Sequence, residues 1–279
     1  MSVITEFNRK LVLITGGSSG IGYALAEKFI TLGANVAILA RRKEQLIEAE
    51  KALKSKMRRY HQKFITVSAD VSKKDALYQE LEVFKKSYGI PDYLINCAGI
   101  IEPGLFDQIE SDVFEIIMAV NYLGTVYPTK FFIRDMIQRA SGYIVNVSSM
   151  AGLIGIYGYS TYTPTKFAIK GFSDVIRSEL KPHGIHVSAV FPPDTNTPQL
   201  AYENTKKHPV TKALTGSAGV SSPEDVAVAI INGIIKNEYL IIPGFESKVL
   251  NFANNVLGGA VNPLMDWLIR KALKKQSIV

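Results

Sequence analysis

The chain has 279 residues, 47% of them hydrophobic and 20% charged, which is too apolar for a disordered chain and long enough to bury one sizeable core. Lys and Arg number 32 against 25 Asp and Glu, a formal charge of +7 that raises nucleic acid or an anionic membrane as partners. A single cysteine, Cys97, excludes an internal disulfide framework, and four scattered histidines offer no clustered metal-ligand spacing, so no metal site is expected.

The first ten residues do not read as a secretory signal, and no segment offers about 20 clean apolar residues for a membrane span. Residues 11–15, 35–40, 64–69, 93–97, 143–147, 186–191 and 239–242 are short, almost continuously apolar runs, as in strands buried on both faces. Helix-length amphipathic stretches alternate with them at 21–32, 44–57, 74–88, 114–138, 164–180 and 223–236. Alternation of this kind predicts an α/β fold, a doubly wound parallel sheet forming one domain over residues 1–245. Residues 246–279 are left as a C-terminal extension.

The first strand runs through Thr15-Gly16-Gly17-Ser18-Ser19-Gly20-Ile21-Gly22 into a helix. Glycines in such a turn let backbone N–H groups approach a pyrophosphate at the helix N-terminus. Gly16, Ser18, Ser19, Gly20, Ile21 and Gly22 are therefore candidate cofactor contacts. The second strand ends in Ala40-Arg41-Arg42, where an NAD site would carry an acid for the ribose 2′-hydroxyl. Two guanidinium groups suit a 2′-phosphate instead, which favours NADP(H); the alternative is a solvated strand end. Asp70 and Val71, after the third strand, are candidate contacts for the adenine, with a helix cap as the alternative for Asp70.

After the fifth strand come Ser148 and Ser149, and thirteen residues past Ser149 stands Tyr162-Thr-Pro-Thr-Lys166. A Tyr and a Lys four apart project from one face of a helix. A nearby ammonium would bring the Tyr162 phenol down toward neutral pH, and Ser149 would hold a substrate oxygen.

Together with Asn96-Cys97-Ala98-Gly99 and Asn121-Tyr-Leu-Gly, these motifs resemble those of the short-chain dehydrogenase/reductase family, over residues 10–244. The resemblance implies a Rossmann-type fold and a catalytic tetrad of Asn121, Ser149, Tyr162 and Lys166. Asn121 would hold a water in a proton relay to Lys166, which with Tyr162 would also contact the cofactor. It further implies that Asn96, Ala98 and Gly99 line the cofactor and that Pro192, Thr195 and Thr197 meet its nicotinamide end. Cys97 reads as a small buried side chain. Pro164 falls in a first helical turn, where no intrahelical N–H is lost.

Pro192-Pro-Asp-Thr-Asn-Thr-Pro198 and Asn121–Pro128 resemble the 3-ketodihydrosphingosine reductase branch. That branch implies NADPH-dependent reduction of 3-ketosphinganine at a membrane surface, on the cytosolic face of the endoplasmic reticulum in a eukaryote. Other readings are a reductase of a hydroxysteroid, β-ketoacyl thioester or retinoid, a silent NADP-binding scaffold, and a nucleic-acid binder. Asp194 would pair with the substrate ammonium or simply close a turn. Residues 195–222 would form a substrate lid. The helices at 114–138 and 164–180 would, by the same resemblance, join copies into a homodimer or homotetramer.

In residues 264–275, Leu264, Met265, Leu268, Ile269, Ala272 and Leu273 share an apolar face, with Asp266, Arg270, Lys271, Lys274 and Lys275 on the other and Trp267 near the boundary. Such a helix suits peripheral contact with a membrane, or packing on protein. Residues 41–63 carry nine Lys and Arg against three acids, and residues 263–279 four against one. The basic excess thus sits at the 2′-phosphate site with its adjoining helix and on the tail, which argues against nucleic acid.

Overall fold

Seven strands and eleven α-helices are built by residues 7–215 and 219–276, the residues that the computed structural model describes. The strands are β1 (Leu11–Thr15), β2 (Asn35–Ala40), β3 (Phe64–Ser68), β4 (Tyr93–Asn96), β5 (Gly142–Val147), β6 (Ile185–Val190) and β7 (Leu240–Ile241). They pair in parallel in the order β3-β2-β1-β4-β5-β6-β7. The first two predicted strands coincide with these and the other five differ by one residue at one or both ends, within the usual uncertainty of strand limits.

Helices α1 (Gly20–Thr31), α2 (Lys43–Lys54) and α9 (Pro223–Ile235) cover one face of the sheet, where Val12, Ile14, Ile38 and Val145 meet Phe29, Leu53 and Ile230. Helices α3 (Lys74–Tyr88), α5 (Gly124–Arg139) and α6 (Thr163–Leu180) cover the other, where Leu13, Leu39 and Ile144 meet Leu81, Phe132 and Ile176. With both faces covered, the strands are apolar throughout instead of alternating. Chain order reverses between β1 and β4, so the carboxyl ends of these strands flank a crevice at the switch point, where such sheets bind ligands.

The predicted helix at 114–138 begins earlier and is not uniform. Helix α4 (Ser111–Met118) runs through a π turn at Ala119–Leu123 into α5. This 29-residue rod is long and apolar enough in composition to cross a membrane. It packs instead against α3, β4, β5 and α6, which makes it a wall of the domain. The stretch expected to be an irregular lid contains two helices, α7 (Pro198–Lys206) and α8 (Pro209–Thr215). Its ends are tied together: Asn196 N–H donates to the Ser221 carbonyl and Ser221 N–H to the Asp194 carbonyl, both at 2.9 Å. Residues 216–218 of that stretch lie outside the described residues.

The C-terminal extension is helical. In α10 (Phe245–Leu257), the polar side faces the domain: Ser247 is buried, Asn251 and Asn254 are half-buried, and Asn254 Nδ2 donates to the Leu153 carbonyl at 3.2 Å. Phe245, Val249, Phe252 and Val256, spaced as one helical stripe, are 80%, 50%, 70% and 67% exposed. Helix α11 (Val261–Gln276) lies against α8 with Val261, Met265, Leu268, Ile269 and Ala272 half-buried. Leu264, Trp267 and Leu273 stay exposed, and Lys271 sits 5.2 Å from the Trp267 ring. The tail therefore packs on protein along one stripe and leaves apolar groups outside; the Lys275 side chain lies outside the described ones.

Candidate active site

The Gly16–Gly22 turn is shaped by contacts that exclude side chains. A Cβ on Gly22 would stand 2.3 Å from the Gly16 carbonyl oxygen, and Gly16, at φ +69°, lies against the Ala98 backbone. Thr15 Oγ1 accepts from Cys97 N–H at 3.1 Å and Ala98 N–H at 3.2 Å, pinning the β4 loop beside the turn. Helix α1 then starts with no side-chain cap from Ser19 and no acid in its first turn. Its N-terminus is left able to receive an anion.

A crevice runs from this turn along the carboxyl ends of the strands. Gly16, Ser18, Ser19, Gly20, Ile21, Gly22, Arg41, Arg42, Asp70, Val71, Ala98, Gly99, Tyr162, Lys166 and Thr197 all line it. Gln45, missed in the sequence, stands beside the two arginines and lies 3.5 Å from Ser18 Oγ. Arg41 Nη1 is 3.7 Å from Asp70 Oδ2, while Asp70 Oδ1 accepts from the Ser72 N–H and hydroxyl. Burial raises the Asp70 carboxyl, but the Ser72 bonds and the Arg41 and Lys73 charges outweigh it and hold the group below its ordinary value. Asp70 therefore closes a turn at the crevice and caps no helix.

Asn96 is a correction. It does not line the crevice but lies inside the sheet, donating from Nδ2 to Thr129 Oγ1 and Asn146 Oδ1, both at 2.9 Å. At the end of β4 its side chain points between α5 and β5, so its contribution is to hold the strands whose loops form the site.

A smaller pocket adjoins the crevice and contains Ser149, Tyr162, Pro192, Asp194, Thr195 and Thr197. Pro192, Thr195 and Thr197 thus share a pocket with Ser149 and Tyr162, and Thr197 Oγ1 also accepts from Leu200 N–H to cap α7. Pro164 falls at the start of α6 as expected. Ser149 Oγ accepts from Ala151 N–H at 3.1 Å, leaving its own proton for Tyr162 or a ligand.

Asn121 sits in the π turn, fully buried, accepting at Oδ1 from Ile100 N–H and donating from Nδ2 to the Ile100 carbonyl and Thr165 Oγ1. It clamps the β4 loop to α6, which carries Lys166. Such π turns recur at functional sites because they re-aim one side chain.

Lys166 is 4% exposed, donates to the Val147 carbonyl at 3.1 Å and lies 5.3 Å from the Tyr162 ring centroid. Burial pushes its pKa down to about 8. The expected lowering of Tyr162 is overturned: burial, Glu203 and Asp194 raise its phenol above the usual tyrosine value, against bonds from Ser149 and Gln199. The Lys166 ammonium is aimed at Val147, so it does not offset that field. Tyr162 is consequently a phenol, able to give a proton. Cys97 carries a thiol pushed up to about 11 by burial, which leaves it a poor nucleophile.

The short chain dehydrogenase family profile matches residues 10–208. This chain belongs to the short-chain dehydrogenase family. It is 39% identical over 250 residues to a 3-dehydrosphinganine reductase of Danio rerio, covering 88% of this chain and 74% of the relative. It is 38% identical over 244 residues to a 3-ketodihydrosphingosine reductase of Mus musculus, covering 86% and 73%. Among solved structures, a short-chain dehydrogenase from Streptomyces avermitilis aligns with TM-score 0.77 at 26% identity over 96% of this chain and 98% of its own. Levodione reductase aligns with TM-score 0.79 at 22% identity over 87% and 99%, a likeness of fold. As a short-chain dehydrogenase the chain is an oxidoreductase that uses a nicotinamide cofactor.

Proposed function

We propose that this enzyme reduces the ketone of 3-ketosphinganine to the alcohol, using NADPH. The observation that carries the reading is the Ser149, Tyr162 and Lys166 set between a crevice flanked by two arginines and a pocket containing carboxylates, in a chain whose curated relatives are named for this reaction. Gly16–Gly22 would hold the pyrophosphate, Arg41 and Arg42 the 2′-phosphate, and Ala98, Gly99, Lys166, Pro192, Thr195 and Thr197 the nicotinamide half. When bound, the reduced cofactor supplies hydride for the carbonyl carbon. Ser149 orients the carbonyl oxygen, and Tyr162 gives that oxygen its proton as negative charge develops there. Lys166, 5.3 Å from the Tyr162 ring, would hold the cofactor beside it, and Asn121 fixes the loop and helix around it.

The substrate is a long-chain amine that resides in membranes. Its delivery would be served by α10, whose exposed Phe245, Val249, Phe252 and Val256 lie on the side opposite Asn254, the residue bonded to Leu153 near the pocket. Lys248 on α10 and Arg270, Lys271 and Lys274 on α11 are exposed, and such charges suit anionic headgroups at a cytosolic membrane surface. Exposed Ile116, Phe167 and Val175 on α4 and α6 suit the pairing of copies into a dimer or tetramer. The test is NADPH oxidation with long-chain 3-keto amines, 3-ketoacyl thioesters and ketosteroids. Rates are expected with the keto amines, and rates confined to the steroids would overturn the reading.

A further inference from the structure

The pocket wall holds a group of four side chains from two distant segments, Tyr159, Glu203 and Lys207 buried and Asp194 half-buried. Tyr159 donates its hydroxyl to Glu203 Oε1, and the same oxygen is 2.6 Å from Lys207 Nζ. Lys207 Nζ also lies 3.1 Å from Asp194 Oδ2. Glu203 is 6% exposed and Lys207 5%.

Two carboxylates share one ammonium here, leaving one formal negative charge against the pocket. Glu203 is buried, so a cation held against the pair would be screened by little water. Glu203 Oε2 and Asp194 Oδ1 accept no hydrogen bond among the described residues, although a carboxylate oxygen has room for two. Glu203 and Asp194 line the pocket with Tyr162, whereas Lys207 stands behind them. The wall therefore presents carboxylate oxygens and withholds the ammonium.

We infer that Glu203, with Asp194, forms a subsite for the ammonium carried by the carbon next to the reacting ketone. The inference rests on the proposed keto-amine substrate. In such a substrate the nitrogen is two bonds from the carbonyl carbon, so holding the carbonyl oxygen at Ser149 and Tyr162 confines the ammonium to the adjoining wall. Lys207 sets the charge: it neutralises one carboxylate and leaves the pair matched to one cation. The sequence reading pointed to Asp194 alone. The structure engages Asp194 Oδ2 with Lys207 and adds Glu203, which the sequence does not place near the site.

The experiment compares 3-ketosphinganine with 1-hydroxyoctadecan-3-one, which lacks only the amine. In Glu203→Gln the ratio of kcat/KM for the amino ketone to that for the deamino ketone should fall about 10- to 100-fold, the scale of a charge-assisted hydrogen bond. Asp194→Asn should lower the same ratio and serves if Glu203→Gln fails to fold, which its melting temperature and NADPH affinity would reveal. A ratio unchanged in both variants, with the wild-type enzyme active on the amino ketone, would overturn the subsite while leaving the substrate reading intact. A wild-type enzyme inactive on both ketones would overturn the two together.

Discussion

Lys166 Nζ donates to the Val147 carbonyl across 3.1 Å, joining the first turn of α6 to the end of β5. The bond fixes the ammonium inside the protein, where burial holds its pKa near 8. An ammonium in an unfolded chain keeps its proton to about pH 10.4. Between about pH 8 and 10 the unfolded state therefore binds more protons than the folded state, and stability rises with pH through that window. Below it both states are protonated and the full cost of the buried charge is present. Lys166→Met should remove this slope, with wild type gaining up to about 3 kcal/mol relative to the variant across the interval. Urea melts at several pH values would measure it, and parallel profiles for the two proteins would refute the assignment.

Tyr162→Phe should lower kcat by about 10²- to 10⁴-fold, the usual contribution of a positioned general acid, with NADPH affinity changed little. Stopped-flow turnover combined with a fluorescence titration of cofactor separates the two effects. A variant retaining a tenth of the activity would remove Tyr162 from its role.

Arg41 and Arg42 line the cofactor crevice with Gln45 at the end of β2. Arg41→Ala with Arg42→Ala should raise the KM for NADPH about 10- to 100-fold, as expected for loss of charge-assisted bonds to a phosphate, and leave the KM for NADH nearly unchanged. Equal changes with both cofactors would show that the guanidinium groups serve the fold.

Gly22→Ala puts a Cβ 2.3 Å from the Gly16 carbonyl oxygen, a backbone atom that cannot swing aside. The turn must open, at a cost of about 1–3 kcal/mol for overpacking. A lower melting temperature and weakened cofactor binding should appear together. An unaffected dissociation constant would argue that the turn does not meet the pyrophosphate.

Phe252→Glu with Val256→Glu changes exposed groups only, so melting temperature should move little. Flotation with anionic vesicles should be lost, and turnover of vesicle-borne substrate should fall while turnover of a short soluble ketone persists. Vesicle binding that survives would assign the stripe to another partner.

The sheet and the Tyr162–Lys166 pair were legible because their signals are local: apolar runs of strand length, and two side chains four residues apart on one helix. Helix α7 inside 195–222 carried a signal too, since Thr197-Pro198 pairs a cap residue with proline in the first turn, as Ser222-Pro223 does where α9 begins. Glu203, Lys207 and Gln199 were not legible as site residues, because only the path of α7 over the pocket brings them to Tyr159 and Tyr162. Asn96 was misread because a motif does not state which side of the sheet its first residue faces. The pattern of α10 reveals an apolar stripe, but whether that stripe points inward depends on Asn254 meeting Leu153, 101 residues away in sequence.

The paired bonds between Asn196, Ser221 and Asp194 bring both ends of a 195–221 excursion to one point beside β6. An insert entering and leaving at adjacent positions can change length at little entropic cost to the rest of the chain. It can therefore be exchanged as a cassette. Grafting the corresponding stretch from a relative with a different ketone preference, with cuts at Asp194 and Ser222, offers a route to new selectivity that leaves the hydrogen-bonded register of the sheet and the cofactor turn untouched.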